Sequence, residues 1–234
     1  MHARRFHGRF ARQWAPAIRW LTLFACLGAM ANGSGAWDFE RILQTAAVRY
    51  NGLGPATERI RDWQRLLQAT ATLDEGEQLE RVNRFFNRQL TFRDDLHLWA
   101  QADYWATPIE ALVKGAADCE DYALAKYFSL RQLGMPSDKL RITYVKALRL
   151  NQAHMVLTYY ASKGAEPLVL DNLIGDIQPA SRRNDLLPVY AFNAEGLYLA
   201  GHAGDRRTGD SKKLSRWQDL LKKMQAEGFP IGEG

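Results

Sequence analysis

Residues 107–136, TPIEALVKGAADCEDYALAKYFSLRQLGMP, decide the fold. They contain two helix starts. Thr107-Pro108-Ile109-Glu110 is a capping box with proline at the first helical position, and Gly115 closes the short helix it opens. Asp118 is a good N-cap for a second helix from Cys119 to about Leu133, with stop signals at Gly134 and Pro136. A cysteine is thereby placed at a helix N-terminus, where free N–H groups and the macrodipole favour an anion. Its neighbours oppose that. Asp118, Glu120 and Asp121 surround a thiol whose reactive form is itself negative. Either the thiol is inert or something nearby overturns the electrostatics.

Upstream, helical spacing recurs three times: in 38–50 (Phe39, Ile42, Leu43, Ala46, Ala47), in 56–70 (Ile60, Trp63, Leu66, Leu67) and in 74–90 (Leu79, Val82, Phe85, Phe86). Downstream the pattern changes to strands at 140–147, 153–160, 167–171, 188–193 and 196–200, the last two around a turn at Glu195-Gly196. The polar stretch 201–213 reads as a mobile loop before a terminal helix near 214–227. Helices first and an antiparallel sheet after predict an α+β protein, with one domain over 37–234.

The first 36 residues stand apart. Arg4, Arg5, Arg9, Arg12 and Arg19 precede an apolar run from Trp20 to Ala31, and small residues close the segment at Gly33-Ser34-Gly35-Ala36. This order predicts a secretory signal peptide over 1–36, cleaved after Ala36 or alternatively after Ala31. The apolar run is too short to span a bilayer, so no stable membrane insertion is expected. Five of the 31 Lys and Arg leave with it, so 26 basic residues then face 26 acidic ones. The sequence pI near 9.2 therefore belongs to the leader, and a nucleic-acid partner loses its support. Cys26 departs too, leaving Cys119 with no intramolecular disulfide partner in an export compartment.

His154 lies on the second predicted strand and Asp171 ends the third. If these strands are neighbours, an imidazole can face the thiol while a carboxylate holds its other nitrogen, the nucleophile–base–orienter arrangement of acyl transfer. Each residue also has a plainer reading. His154 can be a satisfied core histidine, Asp171 a strand-end turn residue, Asp118 and Asp121 an N-cap with its N3 partner, and Glu120 a complement to the helix dipole. Asp94 and Asp95 could add a metal ligand but read better as a solvated turn, Trp99, Tyr104 and Trp105 could line a substrate cleft but read better as core, and Arg182-Arg183 reads as a surface pair.

At these residues the chain resembles a known family. DYWATPIEALVKGAADCEDYALAKYFSLRQLGMP, AHMVLTYY, LVLDNLIGDIQPASRRNDLLPVYAFN and EGLYL are similar to the bacterial transglutaminase-like cysteine proteinases of the LapG type, over roughly residues 38–200. The resemblance implies a papain- and transglutaminase-like fold, with Cys119 as nucleophile, His154 as general base and Asp171 as orienting acid. It also implies a calcium-dependent periplasmic endopeptidase that clips the N-terminal region of a large surface adhesin and so releases biofilm cells. A LapD-type inner-membrane receptor for cyclic-di-GMP is then the sequestering partner. Calcium gives the acids a purpose: Asp118, Glu120 and Asp121 are hard oxygen donors, and a divalent ion would offset their charge beside the thiol. Two other readings stay open. The same three residues suit a transglutaminase or amidase, and a non-catalytic metal-binding interaction module needs only the ligands.

Overall fold

The helix Cys119–Gln132 is buried along its whole middle, Glu120 to Leu130, and the other elements are arranged to cover it. The structure, a computed structural model, describes residues 37–199 and 206–230. The expected leader 1–36 lies outside the described residues.

Three helices come first: α1 (Phe39–Arg49), α2 (Ala56–Thr70) and α3 (Glu75–Gln89). Each buries one stripe, as its spacing predicts: Ile42 and Ala46 on α1, Ile60 and Trp63 on α2, Val82 and Phe86 on α3. The short strand β1 (Thr91–Phe92) follows, then the five-residue helix α4 (Asp95–Trp99), the capping-box helix α5 (Pro108–Lys114) and β2 (Ala116–Ala117), which pairs β1 in parallel. The buried helix Cys119–Gln132 is α6. Trp63 of α2, fully buried, donates its indole N–H to Ser129 on α6 at 2.8 Å, tying the helical layer to it.

Next come β3 (Leu140–Ala147), β4 (Gln152–Tyr159), β5 (Leu168–Leu170), β6 (Gln178–Pro179), β7 (Leu186–Asn193), β8 (Gly196–Leu199), β9 (Arg206–Gly209) and the terminal helix α7 (Ser215–Ala226). The seven strands form one antiparallel sheet in the order β6-β5-β4-β3-β7-β8-β9. α6 packs on β3 and β4, with α2 and α3 outside it. Helices on one face of an antiparallel sheet make the α+β architecture.

Part of the stretch expected to be a mobile loop is ordered. Residues 206–209 form an edge strand on β8, while 200–205 lie outside the described residues. Arg206-Arg207-Thr208-Gly209 lacks the apolar alternation that marks a strand, because an edge strand against solvent does not need it.

Candidate active site

Capping chemistry places the thiol. Thr107 accepts the Glu110 N–H at 3.0 Å and Glu110 accepts the Thr107 N–H at 2.9 Å, so α5 starts as its sequence requires. α5 ends at Gly115 with φ +65°, and Arg59 of α2 donates to the free carbonyls of Leu112 and Val113 at 2.6 and 2.9 Å. The chain then runs through β2 into α6, with Cys119 as its first residue. Cys119 is half-buried and has no disulfide partner among the described residues.

The thiol donates to Glu120 Oε2 at 3.1 Å and faces the main-chain N–H of Met155. Met155 follows His154 on β4. β5 pairs only with Leu157–Tyr159, so this half of β4 leaves an open edge toward α6. The thiol therefore sits beside the strand segment that carries His154. Burial, with the charges of Glu120 and Asp118, pushes the Cys119 thiol well above its ordinary range.

His154 is buried, and its Nε2 lies 2.8 Å from Asp171 Oδ1. Asp171 is also buried, which by itself would raise its carboxyl. The hydrogen bond and charge of His154, together with Arg183, outweigh burial and hold it down to about 2. An ionised Asp171 only accepts, so Nε2 is the nitrogen that donates to it, and in the neutral imidazole the lone pair is then on Nδ1. Two main-chain N–H groups, of Asn172 and Leu173, also donate to Oδ1, at 2.7 and 3.1 Å. Asn87 on α3 and Lys126 on α6 donate to the Asp171 carbonyl at 2.8 and 3.2 Å. Arg183 is a correction: it is not a surface residue but only 2% exposed, with Nη2 2.6 Å from Asp171 Oδ2. An RR pair in a polar loop carries no signal that one of the two turns inward.

The acids are not helix caps. Asp118 occupies the N-cap position by its backbone, but its side chain makes no cap hydrogen bond, and its Oδ1 is buried with no partner. Asp121 accepts from the Ala106 N–H at 2.7 Å rather than serving the N-cap, and its Oδ2 is likewise unpartnered. Asp95 is a second correction. It is buried, not part of a solvated turn: it accepts the Tyr104 N–H and leaves Oδ1 unpartnered. Carboxylate oxygens of Asp95, Asp118 and Asp121 converge within 4.8 Å of one another, and Glu120 forms such groups with Asp95 and Asp103 and with Asp118 and Cys119. Burial, together with this mutual repulsion, pushes Asp118 up to about 11, Asp95 up to about 6 and Asp121 well above its ordinary value. Three orphaned, convergent carboxylate oxygens fit a hard divalent cation such as calcium. The sequence reading set Asp95 aside because the five-residue helix that turns it inward is too short to show periodicity.

Beyond the thiol, paired residues cross the sheet in one row: Met155 on β4, Tyr144 on β3, Tyr190 on β7 and Leu199 on β8. Tyr144 and Tyr190 stack with centroids 5.0 Å apart and 8° between planes. They are half-buried, and Tyr190 feels the charges of Asp103, Arg216 and Glu120. A half-exposed aromatic floor thus leads away from the thiol.

A thiol at the start of a buried helix, laid on an antiparallel sheet, is the frame of the transglutaminase-like cysteine hydrolases. The family model of the bacterial transglutaminase-like cysteine proteinases matches residues 58–185, more than half of the chain, and the chain belongs to that family. It is a cysteine peptidase. Among solved structures it is similar to LapG of Legionella pneumophila in three forms, at 45% sequence identity and over 80% of this chain. One form covers 97% of the LapG chain with TM-score 0.69, an EGTA-treated form 97% with 0.70, and a calcium-bound form 98% with 0.68. Comparison with the curated proteins finds no match. Among the described residues no helix is long and apolar enough to cross a membrane.

Proposed function

We propose that the protein is a calcium-dependent periplasmic endopeptidase that cleaves the N-terminal region of a large surface adhesin and so releases biofilm cells. One observation carries the reading: the Cys119 thiol, first residue of the helix packed on β4, faces the main-chain N–H of Met155 beside His154, whose Nε2 lies 2.8 Å from Asp171.

In this mechanism Cys119 is the nucleophile. Its proton passes to Nδ1 of His154, and the sulfur attacks the scissile carbonyl. The imidazolium then protonates the leaving amine, and the acyl-enzyme is hydrolysed by water that His154 deprotonates. Asp171 keeps the imidazole in the Nε2–H tautomer and offsets its charge once it is protonated. The start of α6 presents N–H groups to the developing oxyanion. Calcium, held by Asp118, Glu120 and Asp121 with Asp95 as a further ligand, would supply positive charge against the acids that oppose thiolate formation. The stacked tyrosines would floor the cleft for the peptide. Export through the leader 1–36 brings the enzyme to its substrate, and the resemblance to LapG supports a LapD-type inner-membrane receptor as sequestering partner.

The test incubates the protein with a recombinant N-terminal region of the cell's largest exported adhesin, with calcium or with EGTA. A cut that needs both calcium and Cys119 supports the reading. Retained cleavage by Cys119→Ala, or no cut under either condition, overturns it. Amine incorporation in place of hydrolysis would mark a transglutaminase.

A further inference from the structure

We propose that Arg183 is a positioning residue for the reaction, acting through Asp171 on the tautomer and orientation of His154. The inference rests on the reading above, in which His154 is the base. The two oxygens of Asp171 are served by different donors. Oδ1 takes the imidazole and two main-chain N–H groups. At Oδ2 the partner is the Arg183 guanidinium, with Nη2 at 2.6 Å. Arg183 is itself clamped by Asp185, with Nε 3.0 Å from Oδ1 and Nη2 2.9 Å from Oδ2.

The backbone places both ends of this chain of contacts. Asp171 follows the last residue of β5, and Asn83 and Asn87, one turn apart on α3, hold the carbonyls of Gly175 and Asp171 at 2.8 Å each. Arg183 follows a single 3-10 turn, Ala180–Arg182, directly after β6, the strand that pairs β5. A carboxylate held at one oxygen pivots about its Cβ–Cγ bond, whereas one held at both has a fixed plane. That plane sets the direction of the Nε2–H···Oδ1 bond, and through it the direction in which Nδ1 points.

Stability alone is a weak reason to keep such a group. A buried arginine between carboxylates often contributes less than an apolar residue of the same volume. Its guanidinium also sits on the carboxylate oxygen opposite His154, where it adds to the His154 contact in keeping Asp171 an acceptor despite burial. A protonated Asp171 could donate to Nε2 and turn the base into the wrong tautomer.

The experiment compares wild type, Arg183→Met, Arg183→Lys and Asp171→Asn, all calcium-loaded. One readout is steady-state cleavage of the adhesin N-terminal fragment. The other is the ¹⁵N spectrum of His-labelled protein at pH 8, which needs no substrate. Arg183→Met is expected to lower kcat about 10–100-fold, the scale on which outer partners act, with KM within about twofold, and to turn the single Nε2–H signal of His154 into a tautomer mixture. Arg183→Lys keeps the charge but not the fork and should fall between. Added to Asp171→Asn, Arg183→Met should cost no further kcat. Wild-type kcat with an unchanged tautomer in Arg183→Met overturns the proposal, as does a full loss that persists in the Asp171→Asn background. Should Arg183→Met fail to fold, Arg183→Lys decides: wild-type kcat and spectrum overturn the proposal. Cleavage by a Cys119→Ala control would sink the peptidase mechanism instead, leaving the substrate-free tautomer measurement to judge Arg183.

Discussion

Removing calcium should make the protein's stability fall as pH rises, and restoring it should abolish most of that slope. The oxygens of Asp95, Asp118 and Asp121 lie within 4.8 Å of one another. At an effective dielectric of about 20, each ionised pair repels by at least about 3.5 kcal/mol. The calcium-free cluster therefore keeps protons that the unfolded chain gives up above about pH 4. These carboxylates have raised folded-state pKa values, so the folded state binds more protons and stability falls with rising pH. For Asp95 the window closes near pH 6, and for Asp118 it extends to about 11. Between pH 6 and 8 one retained proton costs about 3 kcal/mol, on the order of 5–10 °C in Tm for a chain of this size. Other buried groups, such as Glu227 and Lys126, titrate in both states. The useful quantity is therefore Tm with saturating calcium minus Tm in EGTA, measured at each pH. That gap should widen from pH 6 to 8. Calorimetry in two buffers of different ionisation enthalpy should show about one or two protons released as calcium binds. A gap independent of pH, with no proton release, would refute the reasoning.

Other substitutions separate the parts of the site and frame. Asp95→Asn removes one repelling carboxylate and one ligand, so it should raise Tm in EGTA while shrinking the rise that calcium produces; scanning calorimetry with and without calcium checks both signs. His154→Ala and Cys119→Ala should each lower kcat by about 10⁴-fold or more, with far-UV circular dichroism unchanged. Lys126 is fully buried and its ammonium is pushed down to about 7, largely by burial. A lysine depressed when folded loses stability as pH falls from about 10 toward 7. Lys126→Met should therefore flatten that slope in urea unfolding and stabilise the fold at pH 7. Gly115→Ala places a Cβ 3.2 Å from the Arg59 guanidinium at φ +65°, a strain worth about 1–2 kcal/mol, read as a lower urea midpoint.

Most of the frame is legible because its elements are long and their signals local. The spacing at Ile60, Trp63 and Leu67, the Thr107–Glu110 capping box and the alternation through 140–147 each report on a few neighbouring residues, and the helices and strands follow. What escapes is decided by contacts between residues far apart in the chain. Asp95 reads as a turn acid until the chain folds it against Asp118 and Asp121. Arg183 reads as a surface residue until β6 pairs β5 and brings it to Asp171. The Asp118 cap fails for the same reason: its carboxylate is the best local partner for the helix N–H groups, but a competing site turns it away. The edge pair β8–β9 is fixed by hydrogen bonding to a neighbour, not by side-chain pattern.

The two groups flanking this chemistry are built to opposite electrostatic plans. Around Asp171, the Arg183 guanidinium, His154 and main-chain N–H donors hold a carboxylate ionised in a buried place, so it stands as an acceptor for His154. Around Cys119, carboxylates collect with too few donors, and the thiol is driven toward its neutral form. Both arise from burial, and they differ in whether compensating charge belongs to the chain. Arg183 is covalently part of the first site and cannot leave, whereas under the proposed function the second would draw its compensation from calcium in solution. On the proposed mechanism, a base that is permanently set beside a nucleophile that is conditionally set would make control at the acidic cluster sufficient. It follows that chelation should slow Cys119 alkylation by iodoacetamide while leaving the His154 tautomer, read by ¹⁵N shift, where it was. If EGTA shifts the tautomer as much as Arg183→Met does, the two halves are one cooperative unit and the division drawn between them is wrong.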